Sequence, residues 1–496
     1  MCFANPGTTE MPFVGALDTP VGIRAVLGLF EGVCTGAADG YGRMRRKPAL
    51  TLLHLGPGLA NGLANLHNAR RARTPIVNVV GDHASWHLKY DAPLTSDIES
   101  LARPVSGWYR AVASAGNLQE DTIDSVRAAT AAPGQVATLV VPVDFQQQAA
   151  PPQARRAGTA AVARKVDEAR VAAVRAVLQS GRRAVILLGD RALSERGQLA
   201  AGRIAAATGA RLYSETFPAR TERGGGLPDI DRLPYFPEAA IAALADTVVV
   251  LAGAIAPVAY FGYDGLPSEL APAASLLPLA EPGDPADEAL ERVADELGAP
   301  RSVPGIARSR HAFDSGALTP QTVGRVLANA LPEGAIVSVE GGTCGYPFVT
   351  ASATATRHTI LTNTGGAIGQ GLPVALGAAV ACPDRRVFAL QSDGSAQYTI
   401  QSLWTMAREG LPVVMLITSN RRYGILQTEL ARAGITPGPQ ARRLTALDDP
   451  PLDWMALARG YGVPAMTAAT GTALQGLLGE ALKHVHGPVL IEMRLD

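Results

Sequence analysis

Asp393, in Ser392-Asp393-Gly394-Ser395, is followed 27 residues later by Asn420, in Thr418-Ser419-Asn420-Arg421-Arg422-Tyr423-Gly424. Each lies just beyond an apolar run, Arg386 to Gln391 and Pro412 to Thr418, that reads as a buried strand; Gln397 to Gly410 between them reads as a helix. A strand–helix–strand order makes the two strands parallel, so a carboxylate and a side-chain amide emerge at one sheet edge, where doubly wound folds collect ligands. One carboxylate with neutral oxygen donors suits Mg²⁺, which shares its coordination with phosphates and water. Gly394, Ser395 and the helix start offer N–H groups to the phosphates themselves. A lone Asp-Gly pair is usually a turn; the spaced pair on two strand ends carries the signal.

The elements that must position these residues repeat along the chain. The first 145 residues alternate strand and helix patterns, with strands read at Pro48–Leu53, Ile76–Gly81 and Ala137–Val143. Residues 146–165 are rich in Ala, Pro, Gln and Arg and read as a linker. A second series has strands near Ala184–Gly189, Arg211–Ser214 and Thr247–Ala252, followed by a Pro- and charge-rich stretch, 281–318, read as a second linker wrapping the outside. A third series runs to the end, with strands near Ala335–Val339, Val387–Gln391, Val413–Ile417 and Val489–Met493. The expected fold is α/β, three doubly wound domains with parallel sheets, at 1–148, 160–300 and 318–496.

Composition removes several alternatives. A net charge of zero argues against a broad nucleic-acid footprint. The longest apolar run, near Thr247–Gly262, is broken by Pro257 and is short for a bilayer, so no membrane association is expected. Cys2, Cys34, Cys344 and Cys382 form no CxxC and no metal spacing, which reads as four reduced thiols in a cytoplasmic protein.

At Asp393 and Asn420 the chain resembles the thiamine-diphosphate (ThDP) enzymes of the acetolactate synthase, pyruvate oxidase and benzoylformate decarboxylase superfamily, and the resemblance covers nearly the whole chain. Their signature is Gly-Asp-Gly followed at similar spacing by Asn-Asn; here Ser392 and Ser419 replace the outer Gly and first Asn, and both ligand positions are kept. The resemblance implies a metal–diphosphate site in which Asp393, Asn420 and the backbone carbonyl of Arg422 bind Mg²⁺. It also implies pyrimidine-binding, central and diphosphate-binding domains; family members carry a first helix before the point where this sequence opens, so either the true start lies upstream of Met1 or the protein does without that helix.

Three further segments extend it. Glu31-Gly32-Val33-Cys34-Thr35-Gly36-Ala37-Ala38-Asp39-Gly40-Tyr41-Gly42-Arg43 matches the family's glutamate motif. In the family this carboxyl group hydrogen-bonds the aminopyrimidine, which then removes the C2 proton of the thiazolium ring. Alone, Glu31 would read equally well as a surface helix residue paired with Arg43 or Arg45. Thr364-Gly365-Gly366-Ala367-Ile368-Gly369-Gln370-Gly371 matches the segment whose bulky apolar residue, here Ile368, wedges ThDP into a V shape, with Gly366 O and the Ile368 N–H as cofactor contacts. As a dinucleotide loop this run lacks the GxGxxG order.

His54, after the strand Pro48–Leu53, matches a histidine facing the thiazolium in the benzoylformate decarboxylase branch; Thr8 matches a serine there that binds a substrate carboxylate, or is a helix cap. Phe261 stands where that branch has a second histidine, and the segment Gly424–Leu430 lacks the Trp of acetolactate synthases. His83 and His87 have i,i+4 metal spacing, but their setting reads as a loop or surface. The resemblance implies a 2-oxo acid substrate, carboligation ahead of simple decarboxylation, and a homodimer or homotetramer with the cofactor at the subunit interface. A silent binding subunit and an FAD oxidoreductase are further readings; FAD is possible but has no positive signal.

Overall fold

The computed structural model describes residues 1–19, 22–149 and 164–495; most of the linker read at 146–165, namely 150–163, lies outside the described residues. The chain forms two compact units: Met1–Ala160 with Arg310–Ser352 and Leu361–Asp496, and Ala161–Ser309 with Ala353–Ile360. It contains three α/β domains built on parallel sheets.

The first unit holds two of the sheets. One runs Ala25–Leu27, Cys2–Asn5, Ala49–His54, Ile76–Asp82, Val136–Pro142, Trp108–Ala111, every pairing parallel. The other runs Ala465–Ala468, Val489–Arg494, Val413–Ser419, Val387–Ser392, Ala335–Val339, again parallel. Val136–Pro142 and Val413–Ser419 are buried at every position, as strands covered by helices on both faces must be.

A helix pair ties these two sheets together. Glu31–Arg45 crosses Gly371–Ala381 at glycines: a Cβ on Gly40 would lie 2.2 Å from Val374 O, and one on Gly377 1.9 Å from Ala37 O. Only glycine permits that approach. Buried Asp39 pairs with buried Arg43 at 2.5 Å, Arg43 also donates to Thr362 O at 2.7 Å, and Gln370 Nε2 donates to Asp39 at 3.2 Å. The second half of the Glu31 motif is therefore architecture: it joins the helix that begins with Glu31 to the loop that presents Ile368.

The second unit carries the sheet Asp231–Arg232, Arg211–Ser214, Ala184–Leu188, Val248–Ala252, Leu276–Ala280. Within the same unit Thr221–Arg223 pairs antiparallel with His358–Ile360. The stretch 281–318 is not simply an outer linker. It contains the helix Ala286–Glu296, whose Ala286, Ala289, Leu290, Val293 and Ala294 pack into this unit's core. The prolines and charges around it masked an apolar i, i+3, i+4 stripe.

Candidate functional site

The strands Val387–Ser392 and Val413–Ser419 lie in register, Ser392 opposite Thr418, so Asp393 and Asn420 leave the sheet at one level. Asp393 is 1% exposed, and its carboxylate accepts the N–H groups of Gly394 (2.9 Å) and Arg421 (2.7 Å). Burial pushes its pKa up, against the pull of these amides. Asn420 Oδ1 accepts the Arg422 N–H at 3.2 Å, and Asn420 Nδ2 donates to Thr343 Oγ1 at 3.4 Å. A Cβ at position 394 would sit 2.5 Å from the Tyr423 ring, which explains the glycine. The Ser395 hydroxyl donates inward to Gln391 Oε1 at 3.1 Å.

The helix read at Gln397–Gly410 is broken. A turn, Asp393–Ala396, passes through a 3-10 segment, Gln397–Thr399, before Ser402–Arg408. β-Branched Thr399 and Ile400 fit an α-helix poorly, and the Thr399 hydroxyl is drawn to Gly369 O at 2.7 Å.

That contact belongs to a loop whose backbone is almost fully engaged. Gly365 O meets His67 Nε2 (3.0 Å), the Gly366 N–H donates to Asn363 Oδ1 (2.8 Å), and the Ala367 N–H donates to Asn68 Oδ1 (3.2 Å). Ala367 O accepts from Asn68 (2.8 Å) and Asn363 (2.9 Å). The N–H groups of Gly369, Gln370 and Gly371 donate to Glu340 at 2.6, 3.2 and 2.7 Å, and Gly371 O accepts from Ser338 at 2.9 Å. Among the described hydrogen bonds none uses Gly366 O or the Ile368 N–H. The Ile368 side chain between them is 37% exposed.

At the edge of the N-terminal sheet, Glu31 opens its helix at 8% exposure and accepts from Asn61 Nδ2 at 3.0 Å. His54 ends its strand, and the next residue, buried Leu55, has φ 54. A left-handed leucine costs about 1–2 kcal/mol, so the sharp exit that presents His54 is held by its surroundings. His54 Nδ1 lies 2.9 Å from Glu10 Oε2 and 3.2 Å from Thr9 Oγ1. Glu10, 0% exposed, also accepts the Gly7 N–H at 2.7 Å and the Thr9 hydroxyl at 2.5 Å. Thr8 is exposed, and it is Thr9 that meets His54. Asp82 ends the adjacent strand with its carboxyl pushed up by burial.

The hydrogen-bond partners of Glu31 and those of Asp393 have no residue in common. His83 and His87 stack edge to face at 5.4 Å in a loop, and no cluster of three or more His, Cys, Asp or Glu suited to a metal occurs among the described residues. Phe261 is 53% exposed in an aromatic group of the second unit, its ring 5.1 Å from Tyr260. All four cysteines are free thiols. No helix among the described residues is long and apolar enough to cross a membrane.

Sequence reasoning passed over Glu10 and Glu340. The signal for Glu340 was present: like Asp393 it is an acid directly after a parallel strand and before glycine.

These residues fit ThDP and a divalent cation. Asp393 is a buried carboxylate with no ion-pair partner among the described residues, and buried charges are paired or coordinate metals. The exposed Ile368, flanked by an unused carbonyl and an unused N–H, fits a flat heterocycle with its own donors and acceptors.

Comparison with known proteins finds thiamine pyrophosphate binding domains in the same two regions. The family described as "Thiamine pyrophosphate enzyme, N-terminal TPP binding domain" matches residues 1–101, and "Thiamine pyrophosphate enzyme, C-terminal TPP binding domain" matches 342–493. The chain is 49% identical to a Mycobacterium tuberculosis protein named "Putative acetolactate synthase large subunit IlvX", over 99% of this chain and 95% of the relative. It is 30% identical to a benzoylformate decarboxylase of Pseudomonas aeruginosa, over 99% and 95%. A solved ThDP-dependent 4-hydroxybenzoylformate decarboxylase of Rhodococcus jostii superposes with TM-score 0.85 at 25% identity, covering 100% of this chain and 96% of that one.

Proposed function

Because the chain belongs to the thiamine pyrophosphate enzyme family and is a ThDP-dependent enzyme of its acetolactate synthase and decarboxylase group, we propose that it decarboxylates a 2-oxo acid and transfers the remaining acyl unit to a second carbonyl. The observation that supports the cofactor site is the loop around Ile368: most of its peptide groups are engaged, and Gly366 O and the Ile368 N–H are among those left for a ligand. When bound, ThDP supplies the carbon nucleophile and electron sink that this reaction needs. Asp393, Asn420 and the Arg422 carbonyl would hold Mg²⁺, and the turn through Gly394 and Ser395 would lie beside the diphosphate.

Glu31, with Gly366 O and the Ile368 N–H, would orient the aminopyrimidine. His54, fixed by Glu10 at Nδ1, moves a proton at Nε2. Thr8, exposed at the same edge, takes the substrate carboxylate. The separate surroundings of Glu31 and Asp393 suit a cofactor shared between two copies of the chain, in a homodimer or homotetramer, and four free thiols suit the cytoplasm.

Simple decarboxylation is the second reading, favoured by the His54–Glu10 pair, which is built to deliver protons. The deciding experiment is a panel of 2-oxo acids assayed for CO₂, aldehyde and acyloin. Acyloin from at least one donor–acceptor pair is expected. Release of aldehyde alone, at high turnover, from every acid would overturn ligation. A fully active monomer by light scattering would overturn the shared site.

A further inference from the structure

We propose that Glu340 is a positioning residue that fixes the distance between the two ends of the cofactor site. Its carboxylate collects three consecutive backbone amides, Gly369, Gln370 and Gly371, at 2.6, 3.2 and 2.7 Å, immediately after Ile368. Its own backbone N–H donates to Leu390 O at 3.1 Å, on the strand that ends just before Asp393. One residue thus grips the loop that presents Ile368 with its side chain and the strand that delivers Asp393 with its main chain. The packing leaves little slack. A Cβ on Gly371 would lie 2.9 Å from Glu340 Oε2 and 1.5 Å from Gln391 Nε2.

The charge and the length of the side chain both enter. A carboxylate only accepts, and its two oxygens offer about four lone-pair sites, enough for three amides; bonds from N–H to an ionised oxygen are shorter and roughly twice as strong as neutral ones. Glutamine would turn an N–H donor toward at least one of the three amides and leave a half-buried N–H without an acceptor. The other flank of the loop rests on neutral amides, Asn68 and Asn363, so Glu340 is the anionic anchor of the segment. The inference rests on the cofactor site proposed above, but its first readout needs no cofactor.

That readout is hydrogen exchange of the cofactor-free protein. In Glu340→Gln the amides of 369–371 are expected to exchange at least tenfold faster while those of 413–419 are unchanged, and the dissociation constant of ThDP with Mg²⁺ should rise by about 10–100-fold. Turnover at saturating cofactor should fall by a smaller factor, as a positioning role requires. Glu340→Asp keeps the charge on a shorter arm and should lie between wild type and Glu340→Gln in both measurements; it also serves if the glutamine variant folds poorly. Unchanged exchange at 369–371 in both variants overturns the proposal. Faster exchange with unaltered ThDP affinity also overturns it, by showing that the anchor does not set the site. Wild-type protein that fails to bind ThDP would instead count against the cofactor site itself and leave the exchange result standing.

Discussion

The two sheet edges of the first unit hold their acids in opposite ways. At the C-terminal edge the carboxylates of Asp393 and Glu340 are bonded chiefly to backbone amides, two and three of them. At the N-terminal edge Glu10 takes one backbone amide, that of Gly7, and is otherwise tied to the side chains of His54 and Thr9, and Glu31 to Asn61. Backbone amides carry no proton that moves at working pH, so the first arrangement makes a rigid cradle. A buried carboxylate against an imidazole orients the ring for proton transfer. On the proposed function, the difference would separate binding from chemistry between two ends of one unit.

The contrast breaks most sharply at Asp393. Asp393→Ala removes a carboxylate from the site proposed for a divalent ion and a diphosphate, and ThDP affinity should fall at least 10³-fold by calorimetric titration; an unchanged titration would sink the cradle assignment. Glu31→Gln should leave cofactor affinity within about tenfold of wild type, yet slow hydrogen exchange at the cofactor's C2 by about 10²–10⁴-fold, the usual range for losing one acid–base group. If both variants lost binding equally, the two edges would not divide the work as described.

Much of this division was legible in the sequence, for a physical reason. Asp393 and Asn420 follow apolar strands at fixed spacing, and a parallel strand must deliver its next residue to the ligand edge. Glu31 and Ile368 were legible through their motifs. What stayed hidden depends on which side chain turns inward. Thr8 and Thr9 are adjacent and chemically identical, and only the turn after Asn5 decides that Thr9 is buried. Glu10 reads as a helix-capping acid until the fold brings the end of a strand 44 residues away beside it. The helix Ala286–Glu296 was hidden by its charged face, which is how an amphipathic helix on a domain surface looks in a string of letters.

His54→Ala should lower turnover by about 10²-fold with ThDP affinity nearly intact, and Glu10→Gln should reproduce part of that loss, because it leaves the imidazole but not its orienting charge. Steady-state rates at saturating cofactor test this; equal rates in wild type and Glu10→Gln would show that the pair is structural only. Acid should separate the edges further. Burial raises the Asp393 pKa, so the carboxylate takes up its proton above the usual carboxylate range. Mg²⁺-dependent ThDP affinity is therefore full above that raised pKa and lost as pH falls through it, by up to about tenfold per unit. Asp393→Asn, which cannot titrate, should lose this slope; a slope retained in the variant would place the titrating group elsewhere.

The smallest effects fall within the N-terminal edge and test its finest distinction, Thr8 against Thr9. The Thr9 hydroxyl donates to Glu10 at 2.5 Å and lies 3.2 Å from His54. Thr9→Val keeps the shape and removes one donor from a fully buried carboxylate, which should cost about 1–2 kcal/mol of stability and change turnover only slightly. The exposed Thr8 has nothing comparable to lose, so Thr8→Val should leave the unfolding midpoint unchanged. If its hydroxyl receives the substrate carboxylate, KM for the 2-oxo acid should rise several-fold with little change in kcat, the pattern of a lost ground-state contact. Denaturant unfolding and initial-rate kinetics on the two variants decide the matter. Should Thr9→Val raise KM while Thr8→Val does nothing, the substrate contact belongs to Thr9, and the exposed hydroxyl at position 8 has no part in the site.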